Sequence, residues 1–189
     1  MVLRPLLCAD AMNDDPLRPL IRTIPDFPKP GIQFRDITTV LRDPAGFALA
    51  IDRMKAALAG HDVTMIAGIE ARGFIFGAAL AREMGLGFVP IRKKDKLPGR
   101  TIGMNYALEY GQDRIEIHDD AVGPGDRIAL VDDLIATGGT AVAATQLLRS
   151  AGTDVPIAVF LVDLPDLGGA ERLRAQGPIV HSLIAFEGH

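Results

Sequence analysis

Two adjacent carboxylates, Asp132 and Asp133, stand just before a run of small, hydroxyl-bearing and glycine residues, Ala136-Thr137-Gly138-Gly139-Thr140. Ile128 to Val131 is an apolar run too short for a helix. It reads as a strand buried on both faces, as in a parallel sheet, so the acids emerge at its carboxyl end. Ala141 to Ser150 takes up helix-forming residues, so the loop opens a helix N-terminus whose backbone N–H groups can cradle a phosphate. A Walker A loop would end Gly-Lys-Ser/Thr without an acidic pair before it, and the dinucleotide pattern G-x-G-x-x-G occurs nowhere in the chain. Two acids beside a phosphate raise the electrostatic energy unless they accept hydrogen bonds from sugar hydroxyls or face a cation. The ligand implied therefore carries both a phosphate and a diol, which a ribose 5-phosphate does. A solvated strand end followed by an ordinary turn is the competing reading, and the length of the combined pattern counts against it.

A second turn, Glu70-Ala71-Arg72-Gly73, follows the strand expected over Val63 to Ile69. Its small residues let backbone approach a ligand and Arg72 offers a rigid fork for phosphate oxygens, although Arg72 could equally cap the next helix or pair with Glu70. The strand Gly87 to Ile91 delivers the basic run Arg92-Lys93-Lys94-Asp95-Lys96-Leu97-Pro98-Gly99-Arg100. Such a run is usually a solvated face, but a neighbouring phosphate site would give it a use.

The elements that must position these groups alternate along the chain. A short helix is expected over Pro16 to Arg22 and an irregular, proline-stiffened loop over Thr23 to Arg35. Phe47, Ile51, Met54 and Leu58 recur at helical spacing and place an amphipathic helix over Ala45 to Ala59. Then come the strand Val63 to Ile69, helix Phe74 to Met84, strand Gly87 to Ile91, strand Ile128 to Val131, helix Ala141 to Ser150 and strand Pro156 to Leu161. That order predicts a doubly wound, mostly parallel α/β sheet with helices on both faces. Thr101 to Leu108 and Arg114 to His118 alternate in polarity around Glu109-Tyr110-Gly111 and read as an antiparallel excursion. In open α/β sheets ligands bind beyond the carboxyl ends of the strands, so the turns after Ile69, Ile91 and Val131 should share one crevice.

At 189 residues and 48% hydrophobic, the chain can bury one good core. A single domain over 16–189 is expected, with 1–15 a disordered extension and Met12 an alternative start. The net charge of −4 leaves no global basic field for nucleic acid. The one cysteine, Cys8, permits no intrachain disulfide, and the four histidines lack metal-ligand spacing. No stretch approaches eighteen apolar residues, so no membrane partner is expected, and the lone cysteine implies a reducing cytoplasm.

Val131 to Thr140 resembles the signature of the type I phosphoribosyltransferases, which bind phosphoribosyl pyrophosphate (PRPP). The resemblance extends over Phe88 to Asp120, through Arg-Lys-Lys-x-Lys-Leu-Pro-Gly, Tyr-x-Leu-Glu-Tyr-Gly and Ile-Glu-Ile-His, and over Phe27 to Asp36. Both stretches are similar to the adenine-specific members of that family. It implies the type I phosphoribosyltransferase fold, with a small hood and a mobile β flap, a Mg²⁺-dependent transfer between adenine and PRPP in purine salvage, and a homodimer. By the same resemblance Asp132 and Asp133 hold the ribose, Ala136, Thr137, Gly138, Gly139 and Thr140 the 5-phosphate, and Arg72, Lys93 and Lys96 the pyrophosphate. Glu109 on the flap handles the proton on adenine N7. Gln33 and Arg35 supply backbone contacts to the base, with Phe34 as a stacking face and Leu164 closing the opposite side. No protein side chain ligates the metal, which arrives through PRPP and water. The turn before Arg72 often carries a cis peptide in this family, here expected at Glu70-Ala71. Asp95 departs from the pattern, standing where a glycine is usual. A 6-oxo purine in place of adenine, and a non-catalytic PRPP-sensing regulator on the same fold, are the alternatives.

Overall fold

The computed structural model describes residues 15–107 and 111–188, which divide into two compact units, one up to Ala50 and one from Ile51 to Gly188. The expected N-terminal extension therefore lies, but for Asp15, outside the described residues.

In the first unit the chain makes a single turn of 3-10 helix, Arg18–Leu20, and then a hairpin of β1 (Arg22–Pro25) and β2 (Gln33–Asp36). A helix to Arg22 and an irregular segment to Arg35 are thus both corrected. Pro25 is tolerated because each strand of a two-stranded ribbon has a free edge where no N–H is needed. Arg22 forms an ion pair with Asp36 across the ribbon. That hydrogen bond, together with one from the Thr38 N–H, lowers the Asp36 carboxyl to about 2. Two helices follow, α1 (Thr38–Arg42) and α2 (Pro44–Ala57), the second running across the division at Ala50.

The second unit is built on one sheet. Its strands are β3 (Met65–Ile69), β4 (Gly87–Lys93), β5 (Thr101–Ala107), β6 (Gln112–His118), β7 (Arg127–Ile135), β8 (Asp154–Asp163) and β9 (Ile179–Ala185). The spatial order is β5-β6-β4-β3-β7-β8-β9, parallel from β4 to β9, with β5 and β6 antiparallel at one edge. Its helices are α3 (Gly73–Met84), α4 (Gly139–Ser150) and the short α5 (Gly169–Arg174). They lie on both faces. Gly68 and Phe88 meet α3 at Gly77, whereas Ala67, Ile69, Val89 and Leu130, pointing the other way along their strands, form one buried cluster with Ala144, Leu147 and Leu148 of α4. Among the described residues no helix is long and apolar enough to cross a membrane.

Register creates the crevice. β3 pairs with β7 only as far as Gly68–Val131, but β8 accompanies β7 to Ile135–Asp163. The strand expected to end at Val131 therefore continues for four residues with a neighbour on one side only, and Asp132 and Asp133 lie on that overhang.

Candidate functional site

A cavity of about 540 Å³ opens where β7 outruns β3. It is lined by Glu70, Ala71 and Arg72 after β3, by Lys93 at the end of β4, by Tyr106 and Asp113 from β5 and β6, and by 132–141. Three sequence segments singled out separately, the acidic pair with its loop, the Arg72 turn and the basic run, thus meet in one place.

The acids emerge from a strand in which Ile128 to Val131 and Ile135 are buried, so their backbone is fixed before any ligand arrives. Arg72 Nε lies 2.7 Å from Asp133 Oδ2, close enough for charge pairing but without the alignment of a hydrogen bond. The start of α3 sits so near Asp132 that a Cβ at residue 73 would fall 2.6 Å from Asp132 Oδ1, which accounts for Gly73. Burial, and then the charge of Asp133 beside it, pushes the Asp132 carboxyl well above the usual carboxylate range. A diol donating to this pair supplies the hydrogen bonds that relieve both effects.

The phosphate loop is shaped from below. Gly138 adopts φ +78° as the residue preceding α4, and a Cβ there would lie 2.7 Å from the Gly169 carbonyl oxygen. Only glycine meets both demands. Gly169 in turn packs against Ala136 and Gly138, while Arg172 Nη1 donates to the Thr137 carbonyl at 2.8 Å. Because the Thr137–Gly138 peptide is trans, this hold sends the Gly138 N–H away from Arg172. The first N–H groups of α4 have no partners within their own helix and carry its positive dipole end, the electrostatics an anion needs.

At the second turn the Glu70–Ala71 peptide is cis, as expected from the resemblance. Glu70 accepts hydrogen bonds from Arg92 Nε at 3.0 Å and the Lys93 N–H at 2.8 Å. The Arg92 bond first of all, with a contribution from the Lys96 charge, holds its carboxyl below the usual range. Glu70 is thus paired with Arg92, leaving Arg72 at the cavity. Lys93 Nζ stands 3.1 Å from Asp113 Oδ2. Lys96 is not among the lining residues; its carbonyl accepts a hydrogen bond from Arg92 at 3.4 Å. Asp95 takes φ +62°, the left-handed conformation that a glycine at this point would adopt without strain.

Gln33, Phe34 and Arg35 lie on β2 in the first unit, where Phe34 meets Phe27 edge-on with ring centroids 5.2 Å apart. Leu164, buried, follows β8 in the second unit. Glu109 lies outside the described residues. Sequence reasoning missed Tyr106, Asp113, Gly169 and Arg172. The first two are direct cross-strand partners on β5 and β6, so the signal that could have found them is the pairing of two strands expected to be antiparallel. Nothing local marks Gly169 or Arg172, whose importance comes from contacts about thirty residues away.

This fold and this loop define the class, and the comparisons agree. The chain belongs to the phosphoribosyl transferase family, whose domain profile matches residues 36–178. It is similar to the adenine phosphoribosyltransferase of Methylobacterium radiotolerans, with 58% identity over 92% of this chain and 96% of the relative. Among solved structures, the adenine phosphoribosyltransferase of Thermoanaerobacter pseudethanolicus matches with TM-score 0.86 and 49% identity, covering 90% of this chain and 98% of that one. The APRTase of Giardia lamblia in complex with 9-deazaadenine matches with TM-score 0.85 and 36% identity, covering 90% and 96%.

Proposed function

We propose that the chain is an adenine phosphoribosyltransferase, converting adenine and PRPP to AMP and pyrophosphate in purine salvage. The observation that carries this reading is the convergence of the acidic pair, the glycine loop, Arg72 and Lys93 on one cavity. Asp132 and Asp133 accept from the ribose hydroxyls, Ala136 to Thr140 enclose the 5-phosphate, and Arg72, Lys93 and Lys96 meet the pyrophosphate. As adenine N9 bonds to C1 of the ribose, the C1–O bond breaks and its electron pair leaves with pyrophosphate, whose growing charge the cations stabilise. Glu109 takes the proton that the purine gives up at N7. Gln33 and Arg35 offer backbone groups to the base, Phe34 stacks on it and Leu164 covers its other face. The segment around Glu109 acts as a flap that excludes water from an oxocarbenium-like centre prone to hydrolysis.

Mg²⁺ would be held by the ligand, since the phosphate oxygens of PRPP and water are the hard donors that suit it. Bound that way it neutralises leaving-group charge. Residues 16–189 are read as one functional domain, supported by a family match that runs across the division at Ala50. The homodimer is carried over from the resemblance, and a reducing, cytoplasmic location from the lone cysteine.

The test is pyrophosphate release from PRPP and Mg²⁺ with adenine, guanine, hypoxanthine, xanthine or no base. Release with adenine alone is expected. Release with a 6-oxo purine instead would reassign the base, and PRPP binding with no release for any base would make the chain a sensor.

A further inference from the structure

A carboxylate on the wall of a cavity for a polyanion repels its ligand, so each one needs a reason. Of the four acids lining this cavity, Glu70 is paired with Arg92 and the 132–133 pair faces the ribose. Asp113 has no such role. Its Oδ1 accepts from the Arg114 N–H at 2.8 Å, and its Oδ2 accepts from the Tyr106 hydroxyl at 3.1 Å and faces Lys93 Nζ at 3.1 Å. Tyr106 is itself placed against the phosphate loop, its ring 3.9 Å from where a Cβ at Gly139 would lie. Asp113 thus stays fixed and hydrogen-bonded if Lys93 departs, and the Lys93 side chain, 55% exposed on a flexible four-carbon stem, is free to do so.

We propose that Asp113 is a positioning residue for the leaving group: it pairs with the Lys93 ammonium between turnovers, yields it to pyrophosphate and reclaims it as pyrophosphate departs. The proposal rests on the reading of Lys93 as a pyrophosphate ligand. The exchange is close to balanced, because a partly exposed ion pair favours its closed state by no more than about fivefold. A multiply charged ligand therefore wins the lysine, and the waiting carboxylate keeps that victory from becoming a trap. Partial burial works against ionisation of Asp113, but the hydrogen bonds from Arg114, Lys93 and Tyr106 prevail and keep its carboxyl below the usual range.

The experiment is calorimetric titration of Mg²⁺–pyrophosphate into the full chain, beside steady-state kinetics with PRPP and adenine. Asp113→Asn is expected to tighten pyrophosphate about two- to sixfold, deepen product inhibition, and lower kcat and the KM for PRPP together. Asp113→Glu restores wild-type behaviour, and Lys93→Ala makes Asp113→Asn silent. A merely structural role for Asp113 would not produce that pattern or that rescue. Unchanged or weaker pyrophosphate binding by a folded Asp113→Asn, when the wild type binds it, overturns the proposal alone. A wild type that binds no pyrophosphate removes the reading of Lys93 and the proposal with it.

Discussion

One wall of the cavity, the end of β7 with the loop into α4, is held by burial and by backbone packed on backbone. The opposite wall, from β5 and β6, is rooted in the core through Ile115 and Ile117 but meets the cavity with the polar side chains of Tyr106 and Asp113. Val131, Ile135 and Ala141 are buried around the first, and Gly138 touches Gly169 with no room for a side chain. Along β5 no residue is fully buried, and its side chains reach β6 through polar contacts, Tyr106 to Asp113 at 3.1 Å and Arg114 to Asn105 at 3.4 Å, while Lys93 of β4 meets Asp113. The first wall cannot change shape without losing core, whereas the second can trade partners one at a time. A transferase needs both: a fixed seat for the part of the substrate that stays, and an adjustable grip on the part that leaves.

The sharpest way to break this contrast is to remove the fixed seat. Replacing Asp132 and Asp133 together by Ala should weaken PRPP binding by about 10²- to 10⁴-fold, the loss of two charge-assisted hydrogen bonds, as read by equilibrium titration. Removing the proton handler from the adjustable side, Glu109→Ala, should lower kcat by about 10²- to 10³-fold and leave PRPP affinity nearly unchanged. Equal loss of PRPP affinity in both variants would erase the division of labour. Gly138→Ala must push the loop off Gly169, and a drop of about 10- to 100-fold in kcat/KM, with thermal stability lowered as well, is expected from the displaced loop. Asp132→Asn should show the smallest effect and the opposite sign for stability. A carboxyl whose value is raised by folding favours the native state while protonated, and that contribution is lost as pH rises through its raised value. The ionised side chain is therefore destabilising at neutral pH. The variant should melt about 2–4 °C higher there and show a flatter decline from acid to neutral pH, while binding PRPP less tightly.

The β7 wall was legible in the sequence because burial leaves a simple trace: an unbroken apolar run, then acids, then glycines where no side chain fits. Its true length was not, since Asp132 and Asp133 stay in the strand through pairing with β8, a partner distant in sequence. The hairpin of β1 and β2 was hidden by its prolines, which sit where a two-stranded ribbon requires no donor. Helix α5 is six residues long, too short to display a helical period, and β9, Ile179–Ala185, went unnoticed behind it. On the polar wall the local sequence named Lys93 but not Asp113, because a lone acid acquires meaning only from the strand opposite.

The contact of Gly138 with Gly169 carries a lesson about tolerance to change. Gly169 belongs to a short helix and stands one layer behind the loop, yet a Cβ there would fall 2.1 Å from the Ala136 carbonyl oxygen. A survey of substitutions at every position would therefore find Gly169 as intolerant as the loop it supports. Neither glycine could be exchanged first on the way to a new loop sequence, so the two positions are bound to drift together or not at all.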